Sequence, residues 1–321
     1  MKKLMILFIS SILALFMCEL FMSGFLDYPK LIPGSKSYKI NDSLGPYNQI
    51  IIRPPHWRYW SIFGRNTVRN VKLNNIGLPG NDINKDFTKC IFVLGSCIIQ
   101  PVLKSGDSTA IAIFSSQMNK KEVNVINLGA GGNDPYILWH RSVFFSHFYN
   151  PDCVIVVIDQ ASFSFFLNRW QDGLHFEKQY TYPQELPERK LRRISAKPRE
   201  HSAFINLLAN SFLISKNKLT GRAEAMYGHS KSDIPTSNSW NKLESCIEHF
   251  SQTYSGKIIF ISILPNAEEN KVISQLCSKY KSDFYSNGRI TQLTNTEFNK
   301  ELGFLLTKSI INHFRNRESK R

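Results

Sequence analysis

Short apolar runs alternate with helical patterns through most of the chain. The apolar runs are Lys89–Leu94, Val123–Leu128, Cys153–Ile158 and Lys257–Leu264, with a shorter one at Ser282–Tyr285. Apolar residues recur at helical spacing in Ser108–Lys120, Pro135–Tyr149, Ala267–Tyr280 and Glu297–Arg315. Strands rich in Val and Ile that alternate with helices favour a parallel sheet buried on both faces. We therefore predict an α/β fold, a three-layer α/β/α sandwich around a parallel, doubly wound sheet.

Two stretches of the chain are less regular. Residues 27–85 show little periodicity but contain several aromatic residues that would be costly to expose to water, so they are predicted to be an extended lead packed on the domain. The domain itself is predicted to span residues 86–316, with an insertion at about 163–255 that contains an apolar helix near Phe204–Ile214. Residues 317–321 form a basic tail.

The N-terminus has the pattern of a signal anchor. Lys2 and Lys3 precede an uncharged apolar run, Leu4–Cys18, which is typical of a secretory signal or a membrane anchor. Apolar residues continue to Leu26, long enough to span a bilayer if Glu19 lies near the head groups. No small-residue cleavage pattern follows, so residues 1–26 are predicted to be an uncleaved transmembrane segment, with a cleaved signal as the alternative. The domain would then be extracytoplasmic, either periplasmic or on the outer face of the cytoplasmic membrane.

The predicted N-terminal anchor changes which partners the net charge of the chain suggests. The chain has 40 Lys and Arg against 25 Asp and Glu, a formal charge of +15. Such an excess suggests an acidic partner, for which nucleic acid is one candidate. Export excludes nucleic acid as a partner. The positive charge then fits anionic glycans, phospholipid head groups or simply a solvated surface. The six cysteines have no paired C-x-x-C spacing, and we expect neither a metal nor a cofactor.

Four ordered motifs surround the first three predicted strands. Asn74–Gly80 precedes the first strand, Gly95-Ser96-Cys97 follows it, Asn127–Gly132 has the pattern Asn-x-Gly-x-x-Gly, and Pro151-Asp152 opens the third. In order and spacing they resemble the SGNH, or GDSL, hydrolase family, whose members have a three-layer α/β/α fold and cleave or transfer acyl esters. The resemblance covers about residues 74–158 and, more faintly, 257–314.

This resemblance implies a nucleophile at the first turn. Cys97 falls on the nucleophile position, and Ser96 falls where the family has aspartate or glycine. Ser96 would be the nucleophile if the turn were one residue shorter, and a buried, inert Cys97 is the alternative to both. A thiol can attack an ester where its thiolate is favoured. Backbone N–H groups of Cys97 and Gly132 would bind the oxyanion.

Three polar positions of the family pattern are altered. Ala161 stands where the family has asparagine, Arg289 where it has aspartate, and Gln292 where it has histidine. Glutamine cannot act as the general base. His229, in a polar Gly/Ser loop of the insertion, is the candidate substitute.

Two functions follow from the resemblance and its departures. The first is acyl-ester hydrolysis or O-acyl transfer on a cell-surface glycan. The second is a catalytically inactive SGNH-fold protein that serves as a binding or assembly module in envelope polysaccharide production.

Gly106-Asp107-Ser108 spells the family name but precedes a predicted helix, so Asp107 or Ser108 is expected to cap that helix.

Overall fold

The computed structural model describes residues 2–25, 36–39, 49–53, 55, 58–63, 66–96, 98–99, 109–130, 135–160, 162–163, 184–185, 198–199, 201–219, 237–293 and 295–318. The helices are α1 (Lys2–Leu20), α2 (Ala110–Asn119), α3 (Pro135–Ser146), α4 (Ala203–Leu219), α5 (Ser237–Thr253), α6 (Ala267–Lys279) and α7 (Asn295–Glu318). The strands are β1 (Lys36–Lys39), β2 (Gln49–Ile52), β3 (Arg58–Phe63), β4 (Asn66–Lys72), β5 (Lys89–Leu94), β6 (Val123–Asn127), β7 (Cys153–Ile158), β8 (Gln184–Glu185), β9 (Lys257–Ser262) and β10 (Asp283–Ser286).

A five-stranded parallel sheet forms the centre of the domain. Its strands lie in the order β10-β9-β7-β5-β6, and every neighbouring pair is parallel. Counted along the chain from β5, the order is 2-1-3-4-5, which belongs to the flavodoxin-like doubly wound sheets. The chain reverses direction at β5, so the switch point lies between β5 and β7.

Helices cover both faces of this sheet. Alternate residues of β5 point to opposite faces, and Ile91, Phe92, Val93 and Leu94 are all buried. Phe92 and Leu94 pack with α3, α5 and α6, whereas Ile91 and Val93 pack with α2 and α7. The three-layer α/β/α sandwich predicted from the sequence is thus confirmed.

Local structure departs from the sequence-based expectation at three places. The lead contains strands: β1 pairs antiparallel with β2 and β8, and β3 with β4. The insertion contains α5, whose buried face includes Leu243, Ile247 and Phe250. The expected cap of α2 at Asp107 or Ser108 was wrong, because the Thr109 side chain accepts the hydrogen bond from Ala112 N at 3.1 Å.

The N-terminal helix is long and apolar enough to cross a membrane. The candidate span is Met5–Phe25, with a mean hydropathy of 2.3, and almost all of it is exposed on the protein. It consists of α1 and a π-helical turn at Phe21–Phe25. By length and composition it fits either an anchor or a signal sequence.

His140 makes the stability of the fold depend on pH. Its ring is buried on α3 between the rings of Tyr136 and Trp139, whose centroids lie 4.6 and 4.7 Å away. Burial, with a smaller contribution from the charge of His249, lowers the pKa of His140 to about 3. The folded protein therefore keeps this imidazole neutral, whereas the unfolded chain takes up a proton below a pH of about 6.5.

We expect the contribution of neutral His140 to the free energy of unfolding to be present above about pH 6.5 and to be lost as the pH falls from there toward 3. The reason is that only the unfolded state gains the proton in that window. Relative to His140→Leu, wild type should lose up to about 1.4 kcal/mol of unfolding free energy per pH unit. Urea unfolding across the window measures this difference. His147→Leu, at an exposed position just beyond α3, is the matched control and should follow wild type. Parallel curves for wild type and His140→Leu would contradict the assignment.

Candidate active site

The switch point brings the loop after β5 and the loop after β7 together. Ligands of doubly wound sheets bind in the crevice outside the carboxyl ends of the strands at this point. Ser96 follows β5, and Asp159 follows β7 directly. Because β5 and β7 are hydrogen-bonded neighbours in register from Ile91–Cys153 to Leu94–Val156, the two residues leave the sheet side by side.

A buried hydrogen bond joins these two loops. Ser96 Oγ donates to Asp159 Oδ2, and both side chains are 1% exposed. A hydroxyl bonded to a carboxylate forms one of the stronger hydrogen bonds available to a neutral donor. Ser96 Oγ also lies 3.4 Å from Ile98 N, which places it inside the turn that follows β5. The hydroxyl of Ser96 is therefore held in the interior and directed toward Asp159.

The second carboxylate oxygen of Asp159 organises its own loop. Asp159 Oδ1 accepts from Ser162 N at 3.0 Å, while Ser162 Oγ lies 3.2 Å from Asp159 N, in the reciprocal manner of a capping box. One carboxylate thus caps the turn after β7 and ties it to the turn after β5. The sequence pattern did not indicate Asp159 as a site residue. The available signal was an acidic residue directly after a buried strand with serine three positions later.

Asn127 connects the loop after β6 to the turn after β5. Its Nδ2 donates to Ile99 O at 3.1 Å, and its Oδ1 accepts from Gly129 N at 2.9 Å. The backbone adds Ala130 N to Gly95 O at 2.9 Å, which continues the β5–β6 pairing beyond the strands. Side chain and backbone together fix the loop that leads toward Gly132 against the turn that leads to Cys97.

The Asn74–Gly80 motif forms a compact loop beside Asn127. Asn74 Oδ1 accepts from Ile76 N and Leu78 N at 3.1 and 2.9 Å. Gly77 has φ +75°, and a Cβ there would lie 1.8 Å from Arg53 O, so only glycine fits. A Cβ on Gly80 would lie 4.0 Å from Asn127 Cβ. The Asn74–Gly80 motif and the start of the Asn127–Gly132 motif are therefore neighbours in space.

The turn that contains the altered aspartate and histidine positions, Arg289 and Gln292, also lies at the carboxyl edge of the sheet. Gly288–Gln292 forms a 3₁₀ turn directly before α7, and a Cβ on Gly288 would come within 2.7 Å of Leu264 O after β9. Ile290 is buried with Ile99 and Ile263. Arg289 is exposed, so the residue at the family's aspartate position is in contact with solvent. The backbone of Gln292 ends this turn at the family's histidine position.

The remaining predicted site residues fall outside the described part of the chain. These are Cys97, Gly132, Ala161 and His229. Histidines with described side chains have other environments: His147 Nδ1 lies 2.8 Å from Val143 O, and His249 Nδ1 lies 2.6 Å from Ser245 O. Of the predicted set, the structure places Ser96 in the interior beside the switch point and Arg289 on the surface of the turn before α7.

We expect the Ser96–Asp159 bond to appear as a coupling in a double-mutant cycle. Ser96→Ala leaves a buried carboxylate with one partner fewer and should cost about 1–3 kcal/mol of unfolding free energy. Asp159→Ala should cost at least as much, and the double variant less than the sum. Ser115→Ala is the matched control, because buried Ser115 Oγ has no hydrogen-bond partner among the described residues. Additive effects at Ser96 and Asp159 would contradict the coupling.

Comparisons with known proteins found only distant structural neighbours. No family model matches the chain, and no curated protein matches its sequence. Among solved structures, the psychrotrophic esterase EstA from Pseudoalteromonas sp. is 10% identical, with 72% of this chain and 99% of that chain covered at a TM-score of 0.39. A GDSL-like lipase from Parabacteroides merdae is 11% identical, covering 70% and 98% at 0.39. The acetylxylan esterase Axe2 from Geobacillus stearothermophilus is 13% identical, covering 67% and 80% at 0.33.

The doubly wound fold that the sequence predicts is confirmed. The parallel sheet has the strand order 2-1-3-4-5, with Ser96, Asn127 and Asp159 at the carboxyl ends of β5, β6 and β7. With helices on both faces of that sheet, this chain has a doubly wound, three-layer α/β/α fold.

Proposed function

We propose that this protein is a membrane-anchored SGNH-type enzyme that hydrolyses or transfers acyl esters on a cell-surface glycan. The observation that carries the proposal is the buried Ser96–Asp159 hydrogen bond at the switch point. It fixes the turn after β5, where this fold places a nucleophile, against the loop after β7, where it places an oxyanion donor. A preorganised turn is what nucleophilic attack on an ester requires.

Cys97 is the nucleophile in this proposal, rather than Ser96. The hydroxyl of Ser96 is buried and donated to Asp159, so it is not directed at a substrate. The Cys97 thiolate would attack the acyl carbonyl carbon and form a tetrahedral oxyanion, which the N–H groups of Cys97 and Gly132 would stabilise. Collapse forms a thioester and breaks the ester C–O bond, and the glycan hydroxyl leaves with a proton. Water or an acceptor hydroxyl then cleaves the thioester and restores the thiol.

The proton acceptor in this scheme is His229. Gln292, at the usual histidine position, cannot take a proton, and Arg289 is exposed beside it. A histidine from the insertion would supply the base without the Asp-x-x-His pair of the family. His229→Asn should then lower kcat/KM by about 10²- to 10⁴-fold, the usual contribution of a general base.

The N-terminal segment supports the location of this activity. Lys2 and Lys3 precede the candidate span, and positively charged residues favour the cytoplasmic side. The domain would then follow on the extracytoplasmic side, where surface glycans are found.

A second candidate, a non-catalytic binding or assembly module, is favoured by the sequence of the Gly288–Gln292 turn. Arg289 and Gln292 replace the aspartate and histidine that activate the nucleophile, while the surrounding turn is kept. In this case the crevice would bind the acylated glycan without cleaving it.

Hydrolysis of a short-chain aryl ester by the purified full-length protein in detergent distinguishes the two candidates. We expect Cys97→Ala to lower kcat/KM by at least about 10²-fold, because the covalent route is lost. Cys90→Ala should leave the rate unchanged, because Cys90 lies on β5 and its thiol is kept protonated. Background rates that are equal for wild type and Cys97→Ala would overturn the enzymatic proposal for such esters and favour the binding module.

Thiol alkylation provides a separate test of the nucleophile. Burial, with a smaller contribution from Asp152, raises the pKa of Cys90 to about 12, and burial raises that of Cys277 to about 12. Both thiols should therefore react slowly with iodoacetamide near neutral pH, since only the thiolate is nucleophilic. We expect Cys97 to be alkylated first, as measured by peptide mass spectrometry. Modification of Cys97 no faster than that of Cys277 would identify it as an inert thiol.

A further inference from the structure

The N-terminus of α4 is held by a carboxylate from the candidate membrane span. Glu19 Oε1 accepts from Ala203 N at 3.0 Å, and Glu19 Oε2 accepts from Phe204 N at 3.1 Å and Ser202 Oγ at 2.7 Å. Ser202 Oγ in turn accepts from Ile205 N at 3.1 Å. The first free amides of α4 are thus satisfied, and a negative charge lies at the positive end of the helix dipole. An acidic residue in an apolar segment is thereby paired, as such residues require.

Apolar contacts reinforce this junction. Met22, in the π-helical turn, packs with buried Ala203 and with Phe204 and Leu207. These residues lie on one side of α4, together with Asn206, which accepts a hydrogen bond from Arg199 Nε at 3.0 Å. The position of α4 relative to the end of α1 is therefore fixed by both charge and packing.

The opposite side of α4 is apolar and exposed. Ile205, Leu208 and Phe212 are 41%, 52% and 69% exposed. Their spacing of three and four residues places them on one face of the helix. A stripe of large apolar side chains is costly in water, and its position beside a candidate membrane span gives it an apolar environment. The sequence of α4 contains two lysines and no acidic residue, which suits a lipid surface.

The span itself determines the depth at which α4 begins. Its 21 residues are about 31 Å long at 1.5 Å per residue, close to the roughly 30 Å of a bilayer's hydrocarbon core. Glu19 lies six residues before the end of this span, about 9 Å from it. Ser10 and Ser11 donate to Leu7 O, and Ser23 donates to Glu19 O, so these hydroxyls are satisfied within the helix. Phe21 and Phe25, stacked at 5.6 Å and exposed, extend the apolar surface beside α4.

We infer that α4 is a second membrane element, a helix that lies in the lipid interface with Ile205, Leu208 and Phe212 inserted among the acyl chains. It rests on the anchoring part of the proposed function and not on the proposed chemistry. Glu19 couples this helix to α1, so the insertion that contains α4 is held at the bilayer surface. The domain is then attached to the membrane at two linked elements instead of by a flexible tether.

Photolabelling of the full-length protein tests this arrangement. The protein is reconstituted into vesicles of phosphatidylcholine and phosphatidylglycerol that contain a lipid with a diazirine in its acyl chain. After irradiation, lipid adducts are located by peptide mass spectrometry. We expect adducts within Met5–Phe25 and also at Ile205, Leu208 or Phe212. Adducts in α1 without any in α4 would overturn the inference while leaving the anchor intact, and adducts in neither would overturn the anchor as well.

A matched pair of variants tests the apolar stripe. Leu208→Ser combined with Phe212→Ser should lower the adduct yield in α4 by about tenfold or more, since each apolar side chain removed from lipid weakens insertion by about that factor. The yield in α1 should not change. Phe148→Ser is the control, because Phe148 is 59% exposed and packs on Phe144 of α3. An equal loss of α4 adducts in the control would contradict a specific role for the stripe, and circular dichroism confirms that each variant is folded.

Discussion

The carboxylate of Asp159 is the constraint on which the geometry of the crevice depends. A doubly wound sheet leaves a gap at its switch point, because the chain departs in opposite directions from β5 and β7. Asp159 joins the two loops at this point, with one carboxylate oxygen bonded to Ser96 and the other to its own turn. Both groups are buried, so the bond is not weakened by competition from water. Loops that would otherwise move independently are thereby held as one unit.

In this arrangement, the residues that hold the loops of the candidate site differ from those proposed to carry out its chemistry. Ser96 occupies the position after the glycine where the family has aspartate or glycine, and its hydroxyl is used for support. Asn127 serves the same purpose on the other side, since it binds Ile99 O and Gly129 N. The loops are therefore held together even though the sequence departs from the family pattern at Ala161, Arg289 and Gln292. Loops held in this way, beside an altered Gly288–Gln292 turn, are compatible with a general base at another position or with binding alone. The nucleophile is therefore the position to test.

The membrane-proximal part of the molecule follows a similar principle. A carboxylate in an apolar segment is unfavourable unless it is paired. Glu19 is paired with the helix N-terminus of α4, and neither partner predicts the other from sequence, because they lie 183 residues apart at Ser202. Hydrophobic patterns located both helices, but their contact arises only when the insertion folds back onto the end of α1. Likewise, α5 was not predicted, although its apolar residues do recur at helical spacing.

The sequence by itself determined the alternation of strands and helices, the parallel sheet and the order of the motifs, because those features depend on local periodicity and on turn residues close in the chain. It also gave Ser96, Cys97 and Arg289 as candidate site positions, and their roles stay predictions. Only the tertiary structure decided that Asp159 binds Ser96, 63 residues away, and that Glu19 caps α4. Such contacts are set by strand order and by how loops leave the sheet. A residue's local sequence does not contain that information, so the role of a buried carboxylate becomes visible only with its partner in place.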